Sequence, residues 1–214
     1  MIHKEGYKTI LIATVVLLLF YVGAYVLYSV QSIVSVSLAV VSTAVWFFII
    51  QFFRNPRVNI PKQGNIILSP ANGKVVVIER ISHQSKVWIQ ISIFMSPLDV
   101  HVNRSPIKGI VKKVEYFAGR HIPAWKPKAS LENERTYIEI QNKQIEIAVK
   151  QIAGAMARRI VCYLKQNDVL DAGQEIGFIK FGSRVDVLIP PQAQVQVTLD
   201  THVIAGESIL ATYD

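Results

Sequence analysis

The chain has 214 residues, 51% of them hydrophobic, a formal charge of +8 at neutral pH and one cysteine. That apolar content excludes a disordered chain, and a lone cysteine excludes a disulfide framework. No Cys/His spacing of the kind that holds zinc is present, so no metal site is expected.

The first elements in chain order are membrane spans. From Thr9 to Phe53 no residue is charged. The stretch divides into Thr9 to Ser29 and Ile33 to Phe53 around the polar Gln31-Ser32, and each part has the about 20 residues that cross a bilayer. Two transmembrane helices in a tight hairpin are expected. A cleaved signal peptide competes with this reading, but the first apolar segment is longer than a signal core and a second follows at once. Lys4 and Lys8 precede the first span, Arg54, Arg57 and Lys62 follow the second, and the turn between them is uncharged. Both ends therefore belong on the cytoplasmic side of the membrane. Residues 1–53 are read as an anchor and residues 54–214 as a second domain.

With Lys4, Lys8 and Glu5 set aside, the second domain keeps 21 Lys and Arg against 14 Asp and Glu. Such a surface attracts anionic lipid headgroups as well as nucleic acid. An anchor in the same chain makes lipid the simpler partner, and no nucleic-acid partner is expected. Lys112, Lys113, Arg120, Lys126 and Lys128 with Trp125 are candidates for a basic, aromatic rim facing the membrane; the competing reading is an ordinary solvated face.

After a linker with Pro56 and Pro61, the chain turns into short Val/Ile-rich runs separated by turn residues. Strands are predicted at Lys74 to Ile81, Val87 to Phe94, Gly109 to Tyr116, Arg135 to Gln141, Gln144 to Ala153, Arg158 to Leu164, Gln174 to Phe181, Arg184 to Leu188, Gln194 to Leu199 and Ser208 to Ala211. Residues 167–177 and 201–210 share a turn–Val–turn–Gly–strand rhythm like that of lipoyl domains. The fold class read from this is mainly β, a compact barrel-sandwich behind a two-helix anchor. No lysine sits at a hairpin tip as a lipoyl or biotin carrier requires. Cys162 is read as a buried structural thiol.

The segment Phe178 to Pro190 reads as one strand interrupted by Gly182-Ser183. Its conservative interpretation is a β-bulge. The chemical interpretation is self-cleavage: the Ser183 hydroxyl attacks the Gly182 carbonyl, the peptide bond becomes an ester, and elimination leaves a pyruvoyl group on residue 183. Asp99-x-His101 places two side chains on one face of a strand. Asn72-Gly73 suits a hairpin turn.

Four motifs stand in order: Ser69-Pro70-Ala71-Asn72-Gly73, Ser96-Pro97-Leu98-Asp99-Val100-His101, Asn133-Glu134-Arg135 and Phe181-Gly182-Ser183. With Gly154-Ala155-Met156-Ala157-Arg158-Arg159 and the double span, they resemble the phosphatidylserine decarboxylases in their short, membrane-anchored bacterial form, from about Lys4 to the C-terminus. The resemblance implies a proenzyme cut between Gly182 and Ser183 into a β chain of residues 1–182 and an α chain of residues 183–214. It implies a pyruvoyl cofactor derived from Ser183, with no metal or external cofactor. Phosphatidylserine of an anionic membrane would form an imine with it, lose CO₂ and leave as phosphatidylethanolamine. His101 is the implied proton carrier, and Arg104 stands where longer members have a second histidine.

The family aspartate that orients the histidine is Asn72 here, and in a Ser-His-Asp triad the same change costs about 10⁴ in rate. Three readings of Asn72 stay open: an arrested proenzyme, replacement by Asp99 or Asp186, or deamidation to aspartate. Asp99, His121, Trp125 and Lys128 are weak candidates for headgroup contact. Unpaired strand edges leave room for a homo-oligomer. The alternative from a different class is a non-enzymatic membrane adaptor with a lipoyl-like β domain, although the long heptad hairpin usual in such adaptors is absent.

Overall fold

The computed structural model describes residues 1–27, 33–120, 122–124, 129–155, 159–180 and 182–214. They divide into two compact units, Met1–Arg57 and Val58–Asp214.

The first unit is a helical pair, α1 (Tyr7–Leu27) and α2 (Ile33–Phe52). At 1.5 Å per residue each is about 30 Å long, the thickness of a bilayer's hydrocarbon core. Leu11, Val16, Leu19 and Val22 on α1 and Val34, Val40, Val41 and Phe47 on α2 are exposed, an arrangement suited to lipid rather than water. Polar links join the helices: the Trp46 indole N–H donates to Thr14 Oγ1 at 2.9 Å, and the Tyr21 hydroxyl bonds Thr43 Oγ1. His3 N donates to Phe53 O at 2.8 Å and Asn55 N to Met1 O at 2.7 Å. The chain start thus meets the end of α2, and both ends of the pair lie on one side. The expected break at Gln31-Ser32 falls outside the described residues.

The second unit is mainly β. Its strands are β1 (Ile66–Leu68), β2 (Gly73–His83), β3 (Lys86–Met95), β4 (Val102–Arg104), β5 (Gly109–Phe117), β6 (Arg135–Gln141), β7 (Glu146–Ala153), β8 (Ile160–Cys162), β9 (Val169–Leu170), β10 (Glu175–Ile179), β11 (Ser183–Ile189), β12 (Gln194–Val195), β13 (His202–Val203) and β14 (Ile209–Thr212), with one helical turn, α3 (Ala129–Glu132), before β6. An eight-stranded half-barrel runs β13-β2-β3-β11-β7-β6-β5-β9, and two three-stranded sheets run β1-β14-β12 and β4-β10-β8. All the pairings between these described strands are antiparallel.

Alternation along β11 explains its place at the middle of the half-barrel. Val185, Val187 and Ile189 enter the core with Ile91, Ile93, Ile138, Ile140, Ile147 and Val149. Arg184 and Asp186 face the other way, and Leu188 packs there with Trp88, Tyr137 and Ala148. Both faces are covered, and every residue of β11 is buried.

The repeat seen at residues 167–177 and 201–210 is a structural one. Asn167 and Asp200 have φ of 73° and 67°, and Gly173 and Gly206 have φ of 75° and 77°. A second repeat, unexpected, accompanies it: Ser69-Pro70-x-x-Gly73-x-Val75 and Ser105-Pro106-x-x-Gly109-x-Val111. Their bonds are exchanged: Leu68 N donates to Pro106 O and Arg104 N to Pro70 O, both at 2.9 Å. Gly206 N donates to Ser69 O and Gly173 N to Ser105 O, both at 2.8 Å. The two halves form a pseudo-symmetric sandwich.

Three strand expectations are corrected. Residues 178–190 are not one bulged strand: β10 ends at Ile179 in a three-stranded sheet and β11 starts at Ser183 in the half-barrel, so Gly182 turns a corner between sheets. The run from Gln144 starts at Glu146, because Asn142 Oδ1 accepts the Gln144 and Ile145 N–H groups and makes a turn of them. Gln194 to Leu199 shortens to β12.

Candidate active site

The site is built on one edge of the half-barrel, where β3 and β7 end and β2, β6 and β11 begin. Ser183 opens β11, opposite Met95 of β3 and Ala153 of β7. Gly182 precedes it with φ +62°, a left-handed conformation that a side chain resists. That turn brings the Gly182 carbonyl toward β7. Ser183 is fully buried, and its hydroxyl donates to Met95 Sδ at 3.3 Å. Met95 Sδ also receives Asn103 Nδ2 at 3.8 Å, and Asn103 Oδ1 accepts Gln151 Nε2 at 2.8 Å. Gln151 Oε1 is the one buried side-chain oxygen without a partner among the described residues.

His101 lies just before β4, with no exposed surface. Its Nδ1 is 3.0 Å from the Asp99 carbonyl oxygen, and its Nε2 is 3.3 Å from Gly182 N. A carbonyl can only accept and an amide N–H can only donate, so Nδ1 carries the proton and Nε2 offers its lone pair. A base therefore stands beside the Gly-Ser step in its neutral form.

Two sequence expectations change here. Asp99 and His101 do not share a strand face: Asp99 lies in the turn before β4, where its N–H donates to Ser96 O at 2.9 Å and its Oδ2 accepts Ser96 N at 2.8 Å. The Ser-Pro-Leu-Asp sequence closes its own turn, and the backbone carbonyl of Asp99, not the carboxylate, orients His101. Asn72 lies just before β2, with β3 between it and β11, so about 10 Å from Ser183 by two strand spacings. Its Oδ1 accepts Ala205 N at 3.1 Å.

Asp186, the other substitute for the missing aspartate, faces away from Ser183. Its Oδ1 takes Arg184 Nε at 2.6 Å and its Oδ2 takes the Ser130 hydroxyl at 2.8 Å, while Arg184 Nη2 donates to Ser92 Oγ at 2.6 Å. Lys150, also buried, lies on the neighbouring strand. Burial lowers its ammonium pKa, and Arg135 and Arg184 add to that while Asp186 opposes it.

The Asn133-Glu134-Arg135 motif starts β6 on the same edge. Asn133 Nδ2 donates to Ala153 O at 2.6 Å and Ile122 O at 2.7 Å, and its Oδ1 accepts Ile122 N at 3.0 Å. His121, Trp125, Lys126 and Lys128 lie outside the described residues. Of the proposed rim, Lys112 and Arg120 are exposed, Arg120 pairs with Glu132 at 3.7 Å and Lys113 with Glu115 at 3.0 Å. Cys162 is half-buried, and burial pushes its thiol pKa up. Among the described residues no cluster of three His, Cys, Asp or Glu could hold a metal.

Met95, Asn103 and Gln151 border the step, and sequence reasoning missed them; Gly154 borders it too, quoted in a motif above but given no role there. Their residue types carry no chemical signature, and only strand register brings them there. The one available signal was Gly154, at the end of a β-branched run.

Residues 46–211 match the family model described as phosphatidylserine decarboxylase. The phosphatidylserine decarboxylase proenzyme of Cytophaga hutchinsonii is 44% identical over 216 residues, covering 99% of this chain and 98% of that protein. The proenzyme of Amoebophilus asiaticus is 45% identical over 98% of this chain and 95% of its own length. That of Ralstonia pickettii is 44% identical over 78% of this chain and 79% of its own.

Proposed function

The chain belongs to the phosphatidylserine decarboxylase family, and from that membership we propose that it cuts itself between Gly182 and Ser183 and converts phosphatidylserine to phosphatidylethanolamine with a pyruvoyl group made from Ser183. It is a carboxy-lyase acting on a phospholipid. The observation that carries the self-cleavage reading is the corner itself: a left-handed Gly182, a buried Ser183 and an unprotonated His101 Nε2 3.3 Å from Gly182 N.

His101 Nε2 takes the Ser183 hydroxyl proton as Oγ bonds to the Gly182 carbonyl carbon. The Gly182–Ser183 C–N bond breaks, the freed amine takes the proton, and an ester remains. Loss of the Ser183 Cα proton then breaks the Cβ–O bond and releases residues 1–182 with a Gly182 carboxylate. The dehydroalanine left on residue 183 tautomerises, and water displaces ammonia to leave the ketone. Met95 Sδ is a weak acceptor, so freeing the hydroxyl costs little.

The position fits the group, because residue 183 is buried between Met95 and Ala153 and a ketone there is shielded from water. Once formed, the pyruvoyl group supplies a carbonyl that takes up an amine and accepts the electron pair left as CO₂ departs. His101, held by the Asp99 carbonyl, carries the proton that the product carbon must regain. The two apolar helices and the basic residues flanking them support an anchor in the inner membrane with the β domain on the cytoplasmic side.

Intact mass of the purified protein tests the reading. Two fragments are expected, the smaller having the mass of residues 183–214 with serine converted to pyruvoyl, and Ser183→Ala is expected to stay whole. A natural chain that stays whole under the same conditions overturns it.

A further inference from the structure

Gly154 follows β7 and lies beside the corner. Ala153 donates its N–H to Glu134 O at 2.9 Å and receives Asn133 Nδ2 on its carbonyl, so its backbone groups point toward β6. The next residue, Gly154, has left the ladder. There it meets the Gly182 carbonyl. A Cβ added to Gly154 would lie 2.1 Å from Gly182 O and 3.0 Å from Gly182 C, with Ala124 Cβ at 3.2 Å. No side chain fits, and the atom it would strike is the carbonyl that Ser183 attacks.

We propose that Gly154 is the seat of the scissile carbonyl. Its bare Cα admits the Gly182 oxygen and so fixes where that oxygen lies when Ser183 Oγ adds to the carbonyl carbon. In an acyl shift the charge passes from the serine to this oxygen and is lost again as the C–N bond breaks. A carbonyl held in one orientation presents its carbon to Oγ without having to be reordered first. Gly154 is thus a positioning residue for the first step, and His101 and Gly154 hold the step from opposite ends, at the Gly182 N–H and at its carbonyl. The proposal rests on the self-cleavage reading above.

Gly154→Ala tests it, followed by intact mass against time on the full chain in detergent. Gly109→Ala is the control: its Cβ would strike Gln141 O at 2.7 Å, a comparable backbone clash at the far end of β6. Gly154→Ala is expected to slow cleavage about 100-fold, the loss for a reacting group misplaced by about 1 Å, while Gly109→Ala cleaves like the natural chain. Hydroxylamine, which cuts esters, is expected to release no fragment from Gly154→Ala, because the block precedes the ester; release of fragments overturns the seat.

If Gly154→Ala does not fold, Gly182→Ala decides. Its methyl enters open space, but φ +62° disfavours it, so the same carbonyl turns away without crowding the core. Cleavage of that variant at the natural rate overturns the proposal, and a loss like that expected of Gly154→Ala upholds it. If the natural chain splits and folded Gly154→Ala splits equally fast, the seat alone fails. If the natural chain never splits, the self-cleavage reading fails and the seat with it.

Discussion

His101 and Asn72 separate two roles that their motifs suggest they share. His101 has both ring nitrogens assigned, Nδ1 to the Asp99 carbonyl and Nε2 to Gly182 N. His101→Ala is expected to slow cleavage by about 10² to 10⁴, the range for removing a general base, read by intact mass. Asn72 instead holds the Ala205 N–H. An aspartate keeps that acceptor, so Asn72→Asp is expected to fold normally and to change the cleavage rate by much less than the about 10⁴ of a triad aspartate. A chain that splits only as Asn72→Asp would return the orienting role to that position and mark the natural protein as an arrested proenzyme.

Lys150 carries a pH-dependent prediction. Burial, with Arg135 and Arg184, holds its pKa below the ordinary value of about 10.4. Between the folded and unfolded values the unfolded chain binds the extra proton, so stability rises with pH across that window, and below it the cost is present in full. Lys150→Met is expected to raise the melting temperature at pH 7, with the gain shrinking as pH approaches 10. Arg184 and Ser130 remain to satisfy Asp186 in that variant. Melting followed by tryptophan fluorescence from pH 6 to 10 checks both the sign and the slope.

Among the elements, β11 has the most consequence for function. It lies between β3 and β7, paired along its length with strands that precede the proposed cut. Cleavage frees its first residue from the corner but leaves both ladders, the core residues Val185, Val187 and Ile189, and the Arg184–Ser92 and Asp186–Ser130 bonds intact. The two chains are therefore expected to co-elute on gel filtration in mild detergent and to separate only in denaturant. In α1 and α2 the Trp46–Thr14 bond is one of the few polar links between two apolar surfaces. Thr14→Val is expected to weaken their association by about 0.6 kcal/mol, and by less than about 2, as a small loss of hairpin protection from protease in detergent.

At the scale of the whole molecule, the division into an apolar helical pair and a β unit was plain in the sequence, because a long uncharged stretch gives way to a charged, alternating one. The mainly β class was plain for a related reason: side chains alternate across a strand with a period of two, and β2, β3, β5, β6 and β11 appear in the sequence within a few residues of their actual limits. One repeat was visible because turn glycines punctuate it. Its companion at Ser69 and Ser105 was equally present in the letters but gains meaning only from exchanged backbone bonds.

The sequence by itself determined the two long apolar helices, the β class, the motifs and the place of the Gly182-Ser183 step, since each rests on local periodicity or on residue types with intrinsic chemistry. The tertiary structure alone decided that Phe178 to Pro190 is two strands in different sheets, that Asp99 serves His101 through its backbone, that Asn72 answers to Ala205, and that Gly154 meets the Gly182 carbonyl. These are matters of register between strands up to 133 residues apart. Register is set by how two faces pack against a shared core, a property of the assembled sheet that no single segment carries.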